Sequence, residues 1–404
     1  MPSGQNPTSS TRPTLLIFQG GASASNTPLE RLVIEAQNAS TLDLLLTASH
    51  TNAFHNAILV TEDPLLSNAA QSLPLPNLPL ITQSTNKSEI QSFSFGTHLH
   101  QIVQSHNLDR VVYIGGGAMP LATPTALSDL ALSVSGPGEC VMSNNLFSAD
   151  MVAFYPASAL SRIALPENDN DLAWLLHYRA GLPNATAIKS LATNFDIDTP
   201  TDLATLWYAT SAAPLNRSIG PYLTAFLQTV PQHLPTLADH VERAYKVMST
   251  RRAQLFLSGR VSSWTWRRME INLPCQTRVL SEERGMRASG KETGGGVRSL
   301  LGLYTDLAGI DGLISMLETT SDAAFLDTRV LFAHNNLHPA RPERFASDSF
   351  SPTLADLPHP WINDLTQAAA ASKIPIVLGG HSLIAGGMWL LSERVRTSAS
   401  SAAS

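Results

Sequence analysis

From Thr14 onward the chain alternates short, β-branched apolar runs with stretches of helical spacing. TLLIFQGG, beginning at Thr14, reads as a strand entering a glycine turn; residues 28–37 read as helix, residues 42–48 as a further apolar run, and AILVTEDP from Ala57 as the next strand. The unit recurs in DRVVYIGGG, which ends at Gly117 and is followed by Pro120 and the helical TPTALSDLALSV. NNLFSADMVAFYP, from Asn144, reads as a turn running into a strand, and DLAWLLHYRA, from Asp171, has helical spacing. Such alternation predicts an α/β fold with a doubly wound, mostly parallel sheet.

Pro214, Pro221, Pro231 and Pro235 then punctuate a stretch that is helical where it is periodic, which suits a connector. Beyond it come QLFLSGRVSSWTW, an Arg- and Gly-rich loop region, the helical SLLGLYTDLAGIDGLISMLE, the strand-like DTRVLFAH and finally IPIVLGGHSL. The expected organisation is a disordered start at 1–13, a first domain at 14–210, a connector at 211–240, a second α+β domain at 241–396 and a disordered tail at 397–404. No repeat of fixed period is present.

Composition sharpens this picture in three places. A 404-residue chain with 43% hydrophobic and 14% charged residues can bury sizeable cores. Its two cysteines, Cys140 and Cys275, are far apart and form no CxxC pair, which excludes a disulfide framework and points to a reducing cytoplasm. The first residues lack a signal-peptide pattern, and the longest apolar run, 374–391, is interrupted by His381 and rich in glycine, so no membrane span is expected. The net charge of −6 is uneven: residues 1–239 carry −9, residues 240–300 carry +7 and residues 301–404 carry −4. The basic block is either a solvated face or an anion site. Beyond Trp264 and Trp266 the block lacks aromatics interleaved with its charges, so nucleic acid is not the expected partner.

The most specific motif is NFDIDTPTDLATL, residues 194–206. Thr199 suits an N-cap, Pro200 the first helical turn and Asp202 the third position of a capping box. Capping leaves Asp196 and Asp198 unexplained on an expected strand end, where α/β sheets place ligands. DIDTPTDL resembles the D-x-D-T-P-E-D-L signature of GT-A-like nucleotidyltransferases, a class that includes molybdopterin guanylyltransferase, 2-phospholactate guanylyltransferase and nucleotide-sugar pyrophosphorylases. The resemblance covers roughly residues 14–210. It implies a nucleoside triphosphate or nucleotide-linked substrate, with Mg2+ (or Mn2+) held by Asp196 and Asp198.

The chain departs from that pattern twice. VVYIGGGAMPLAT is similar to the family's G-G-D-x-P-L, but Gly117 and Ala118 stand where the aspartate belongs. Asp150 is the candidate replacement carboxylate, with Asn144 and Asn145 as polar neighbours and Gly115, Gly116 and Gly117 as the turn beside the substrate. The family's opening loop, L-A-G-G-x-S-x-R-x-G with a following lysine, is here FQGGASASNTPLERL. Gly20, Gly21 and Ser23 can still bring backbone N–H groups to a phosphate, but the nearest cation is Arg31. The basic block is the candidate source of the missing charge through Arg284, Lys291 and Arg298.

A second constellation lies near the C-terminus: Asp327, Arg329, His334, His338, Asp348 and His381, residue types that suit a metal or phosphate site. Three functional readings therefore stand at this stage. One is a nucleotidyltransferase acting on a small phosphorylated acceptor. Another is a nucleotide-sensing or scaffolding protein that has lost catalysis, and the last is a metal-dependent hydrolase or phosphatase using Asp327, His334 and His381.

Overall fold

A computed structural model describes residues 11–21, 26–84, 94–211, 219–287, 289–351 and 358–402. It divides into two compact units, Met1–Gly21 with Ser40–Thr193, and Ala22–Ala39 with Asn194–Ser404. The division falls ahead of the stretch expected as a connector. That stretch holds three helices of the second unit instead.

The first unit is built on seven strands: β1 (Thr14–Gln19), β2 (Asn56–Thr61), β3 (Leu80–Gln83), β4 (Val111–Gly115), β5 (Cys140–Ser143), β6 (Met151–Tyr155) and β7 (Asn184–Thr186). Their order is β3-β2-β1-β4-β6-β5-β7, parallel throughout except that β6 runs antiparallel to β4 and β5. Five helices serve this sheet: α1 (Pro28–Ser49), whose first half is assigned to the second unit, α2 (Pro64–Gln71), α3 (Phe95–Ser105), α4 (Pro124–Ser133) and α5 (Leu172–Tyr178). Side chains alternate across the sheet as the pleat requires. Leu15, Ile17, Ala57 and Leu59 pack with α1, α2 and α4, whereas Leu16, Phe18, Ile58 and Val60 pack with α3 and α5. Both faces are thus covered, which is why the central strands read as unbroken apolar runs. Local chemistry sets the helix starts: the Asp63 carboxylate accepts from the Leu65 and Leu66 N–H groups, and Thr123 accepts from Ala126 N–H, each with proline next in sequence.

The second unit holds a smaller sheet of β8 (Gln254–Gly259), β9 (Gln276–Ser281), β10 (Ala323–Asp327) and β11 (Ile376–Gly379). The order is β11-β10-β8-β9 and every pairing is parallel. Around it lie α6 (Leu191–Asn194, whose last residue opens the unit), α7 (Pro200–Thr210), α8 (Pro221–Leu227), α9 (Val230–His233), α10 (Pro235–Met248), α11 (Ser263–Asn272), α12 (Leu300–Thr320), α13 (Thr328–His334), α14 (Arg341–Ser349), α15 (Pro360–Ala371) and α16 (Met388–Ala402).

Several sequence expectations are corrected. DTRVLFAH is strand only at Asp327 and continues as α13. The tail expected to be disordered is helical as far as Ala402. Residues 28–37 and 42–48 belong to one helix, α1. The helix α12 is long and apolar enough to cross a membrane by length and composition alone, with a mean hydropathy of 1.4, although Gly309 (φ 73°) breaks its helical backbone.

Candidate functional site

In the first unit the strand order reverses between β1 and β4, so the crossovers on either side carry their helices to opposite faces and a crevice opens at the carboxyl ends of these two strands. β1 ends at Gln19 and passes into Gly20 and Gly21; β4 ends at Gly115 and passes into Gly116 and Gly117. Close approach explains part of this glycine content. A Cβ on Gly116 would collide with the Gln19 side-chain oxygen, and Gly117 turns at φ 82°. Met119, also in the left-handed region at φ 56°, and Ala118 are buried in the apolar core. The position at which the families resembled in sequence carry an aspartate is therefore part of the packing here.

Because β6 is antiparallel to β4, its first residue pairs with the end of β4, Ile114 with Met151. That register delivers Asp150 to the carboxyl edge, where its carbonyl accepts from Gly115 N–H at 2.9 Å. Asn144 orients the carboxylate: its amide donates to Asp150 Oδ2 at 3.1 Å, and its own Oδ1 accepts from Asp150 N–H at 3.3 Å. Asn145 is used locally, accepting from Phe147 N–H.

A second carboxylate, Asp169, escaped the sequence reading. It lies in PENDND just before α5 and accepts from the Tyr113 hydroxyl at 3.1 Å. A Cβ on Gly115 would stand 2.9 Å from Asp169 Oδ2 and 3.4 Å from Asp150 O. Burial, then the charge and hydrogen bond of Asp169, then the charge of Asp150, hold the Tyr113 hydroxyl well above its ordinary pKa. Tyr113 is a neutral donor between two acids. The signal available in the sequence was three acidic residues crowded ahead of a helix.

The arginines of this unit's described residues are committed elsewhere. Arg110, at the opposite end of β4, donates to the Gly136 carbonyl and stacks on Tyr155; Arg162 pairs with Glu139, and Arg179 lies over Trp174. Ser23 is outside the described residues.

Asp196 and Asp198 belong to the second unit. The expected strand is reduced to an isolated bridge at Asp196, which is partly buried, and Asp198 is exposed. What surrounds them is structural. Asp202 forms the capping box with Thr199 and also accepts from the Ser382 hydroxyl at 2.6 Å, while the Thr201 hydroxyl donates to Leu378 O of β11. Burial, reinforced by the Asp198 charge, raises the Asp202 pKa. Gln37 donates to Ile197 O at 2.7 Å, and Gly386 packs so closely on Asn194 and Phe195 that no side chain fits there. The segment thus anchors α7 to the second sheet's surroundings.

The second sheet also reverses, between β8 and β10. There Arg260 grips Asp327 with Nε to Oδ2 at 2.6 Å and Nη2 to Oδ1 at 3.1 Å. Gly259 (φ 124°) leaves no room for a Cβ against Asp327. Burial disfavours both charges of this pair, but their mutual attraction outweighs it and lowers the Asp327 pKa. Arg329 forms a second two-pronged pair with Asp348, both side chains buried. His381 follows β11; burial and then the Arg260 charge lower its pKa to about 4, so it is neutral at physiological pH.

His334 is a structural residue: Nδ1 accepts from Ser299 N–H and Nε2 bonds Asp306 of α12. Lys291 pairs with Glu283, and Arg298 donates to the Gly295 and Val297 carbonyls. Arg284 is exposed. His338 is exposed. Among the described residues no three His, Cys, Asp or Glu side chains are grouped to hold a metal ion.

No family model matches the chain, and no curated protein matches it. Solved structures do. A cytidylyltransferase from Leptospira borgpetersenii is 16% identical with a TM-score of 0.35, covering 56% of this chain and 97% of its own. The CMP:2-keto-3-deoxy-manno-octonic acid synthetase, solved with CTP, is 16% identical with a TM-score of 0.32, covering 48% and 95%. A glycosyltransferase of Streptococcus pneumoniae is 10% identical with a TM-score of 0.32, covering 78% and 85%.

Proposed function

We propose that the first unit binds a nucleoside triphosphate or nucleotide-linked substrate at the carboxyl edge of β1 and β4, and that it does so with a divalent cation. The observation that carries this reading is the arrival of Asp150 and Asp169 beside the glycine turns at the sheet's reversal point, with the unit's arginines engaged elsewhere. Two carboxylates repel a bare triphosphate. They suit Mg2+ or Mn2+, since Mg2+ is commonly held by one or two carboxylates together with substrate phosphates. Once bound, such an ion would neutralise phosphate charge in the transition state of nucleotidyl transfer. The protein's share is to hold Asp150 through Asn144, to keep Tyr113 protonated as a donor to Asp169, and to leave the backbone at Gly20 open for close approach. The metal roles of Asp196 and Asp198 rest on the sequence resemblance.

A sensing role without catalysis is favoured by one observation: Ala118 is buried in the core where related families carry a metal-binding aspartate. Titration of each nucleoside triphosphate, with and without Mg2+, followed by assay of pyrophosphate release with phosphorylated acceptors, separates the two. Metal-dependent binding with release supports transfer; binding without release supports sensing; equal binding in EDTA defeats both. The hydrolase reading loses two of its three residues, since Asp327 is held by Arg260 and His334 by Ser299 and Asp306.

A further inference from the structure

The second sheet reverses its winding between β8 and β10, and the chain brings charged side chains from four different segments to that carboxyl edge. Arg260 follows β8, Arg284 follows β9, Asp327 and Arg329 follow β10, and His381 follows β11. Arg344, on α14, joins them: it feels the charges of Arg329, Asp348 and Glu292, and Glu292 also acts on Arg260. Gly380 keeps the end of β11 open, the nearest atom to a Cβ there being Arg329 Nε at 3.9 Å.

Charge matching within this group is incomplete. Asp327 is spent on Arg260 and Asp348 on Arg329, both in two-pronged pairs. The nearby acids of the basic block are spent too. Glu282 accepts from Ser299 and Leu300, and Glu283 from Lys291 and Arg298 N–H. Arg284 enters none of the ion pairs among the described residues, and the buried Nε of Arg344 donates to no protein acceptor. His381, after β11, lies within the electrostatic reach of Arg260, Asp327 and Arg284. A buried guanidinium N–H without an acceptor is costly unless a ligand supplies one.

We propose that this edge is a binding site for a phosphate-bearing small molecule, with Arg284 and Arg344 as its anion contacts and His381 in its wall. A dianionic phosphate answers two uncompensated guanidinium groups, whereas a monocarboxylate answers one. The site draws only on residues of the second unit.

The test uses the full-length protein in EDTA, which silences metal-dependent binding, and titrates inorganic phosphate and pyrophosphate calorimetrically at constant ionic strength, with acetate as the monocarboxylate control. Saturable binding of phosphate or pyrophosphate is expected, weakened about tenfold or more by R284Q, an exposed change that leaves folding intact, and likewise by R344Q. D150N is expected to leave it unchanged. By NMR, the His381 ring, faced by Arg260, Arg284 and Asp327, should titrate at higher pH when phosphate is present. Absence of saturable binding, equal binding of acetate, or parental affinity in both arginine variants would overturn the proposal.

Discussion

The two sheet edges make an instructive pair. Both units contain a point where the strand order of the sheet reverses, yet they bring different residues to it. The first unit brings Asp150 and Asp169 there and sends its arginines elsewhere. The second brings Arg260, Arg284, Arg329 and Arg344, and spends its buried carboxylates on holding two of them in place. Topology thus decides where a site forms, and the residues that follow the strands decide which sign of ligand it takes. The same residue type has different settings: Asp348 is a structural counterion, whereas Asp150 is oriented by the Asn144 amide.

Breaking this contrast should cost most at Asp348. D348A leaves Arg329 charged and buried, and urea unfolding should show a loss of roughly 3–5 kcal/mol. The paired change D150N/D169N should leave the unfolding midpoint near that of the parent while lowering Mg2+-dependent nucleotide affinity about a hundredfold, near 2.7 kcal/mol. If that double variant unfolds early but still binds nucleotide, the assignment of the two edges is reversed.

Acid should act on the second edge through His381. Its pKa is depressed to about 4 from an ordinary value of 6.5, so the unfolded chain takes up the proton first. Stability should therefore be level above pH 6.5 and fall as pH drops from there toward 4, with the slope reduced in H381Q when unfolding midpoints are compared across that window. Within DIDTPTDL, T199A removes an N-cap and should cost about 1 kcal/mol by the same measurement. D198A, at an exposed side chain, should stay within about 0.5 kcal/mol.

The fold was legible where burial leaves its mark on pattern. β1, β2, β4, β6, β8 and β11 announce themselves as apolar runs because helices cover both faces of the central strands. The same logic misled at DTRVLFAH: Thr328, Arg329, Val330, Leu331, Phe332 and Ala333 are all buried, so α13 shows no polar face and mimics a strand. β9, QTRVLS, was lost in the Arg-rich stretch because it is an edge strand with polar positions. Of the sites, the glycine turns and Asp150 could be read from their strands. Asp169 could not, since its meeting with Tyr113 joins residues 56 apart. Within DIDTPTDL the capping box of Thr199 and Asp202 was legible because its spacing is local, whereas the strand expected at Asp196 is only an isolated bridge.

The pairing at the heart of the second sheet bears on how the chain reaches its native state. β8 and β10 are neighbours in space but lie on residues 68 apart, as in the contact of Gln254 with Asp322. A loop of that length must close before any β8–β10 contact repays its entropy, and parallel strands offer no hairpin shortcut. Refolding of this unit should accordingly be slow and leave apolar strand edges unsatisfied while it proceeds. The newly made chain is then most at risk of self-association during that interval.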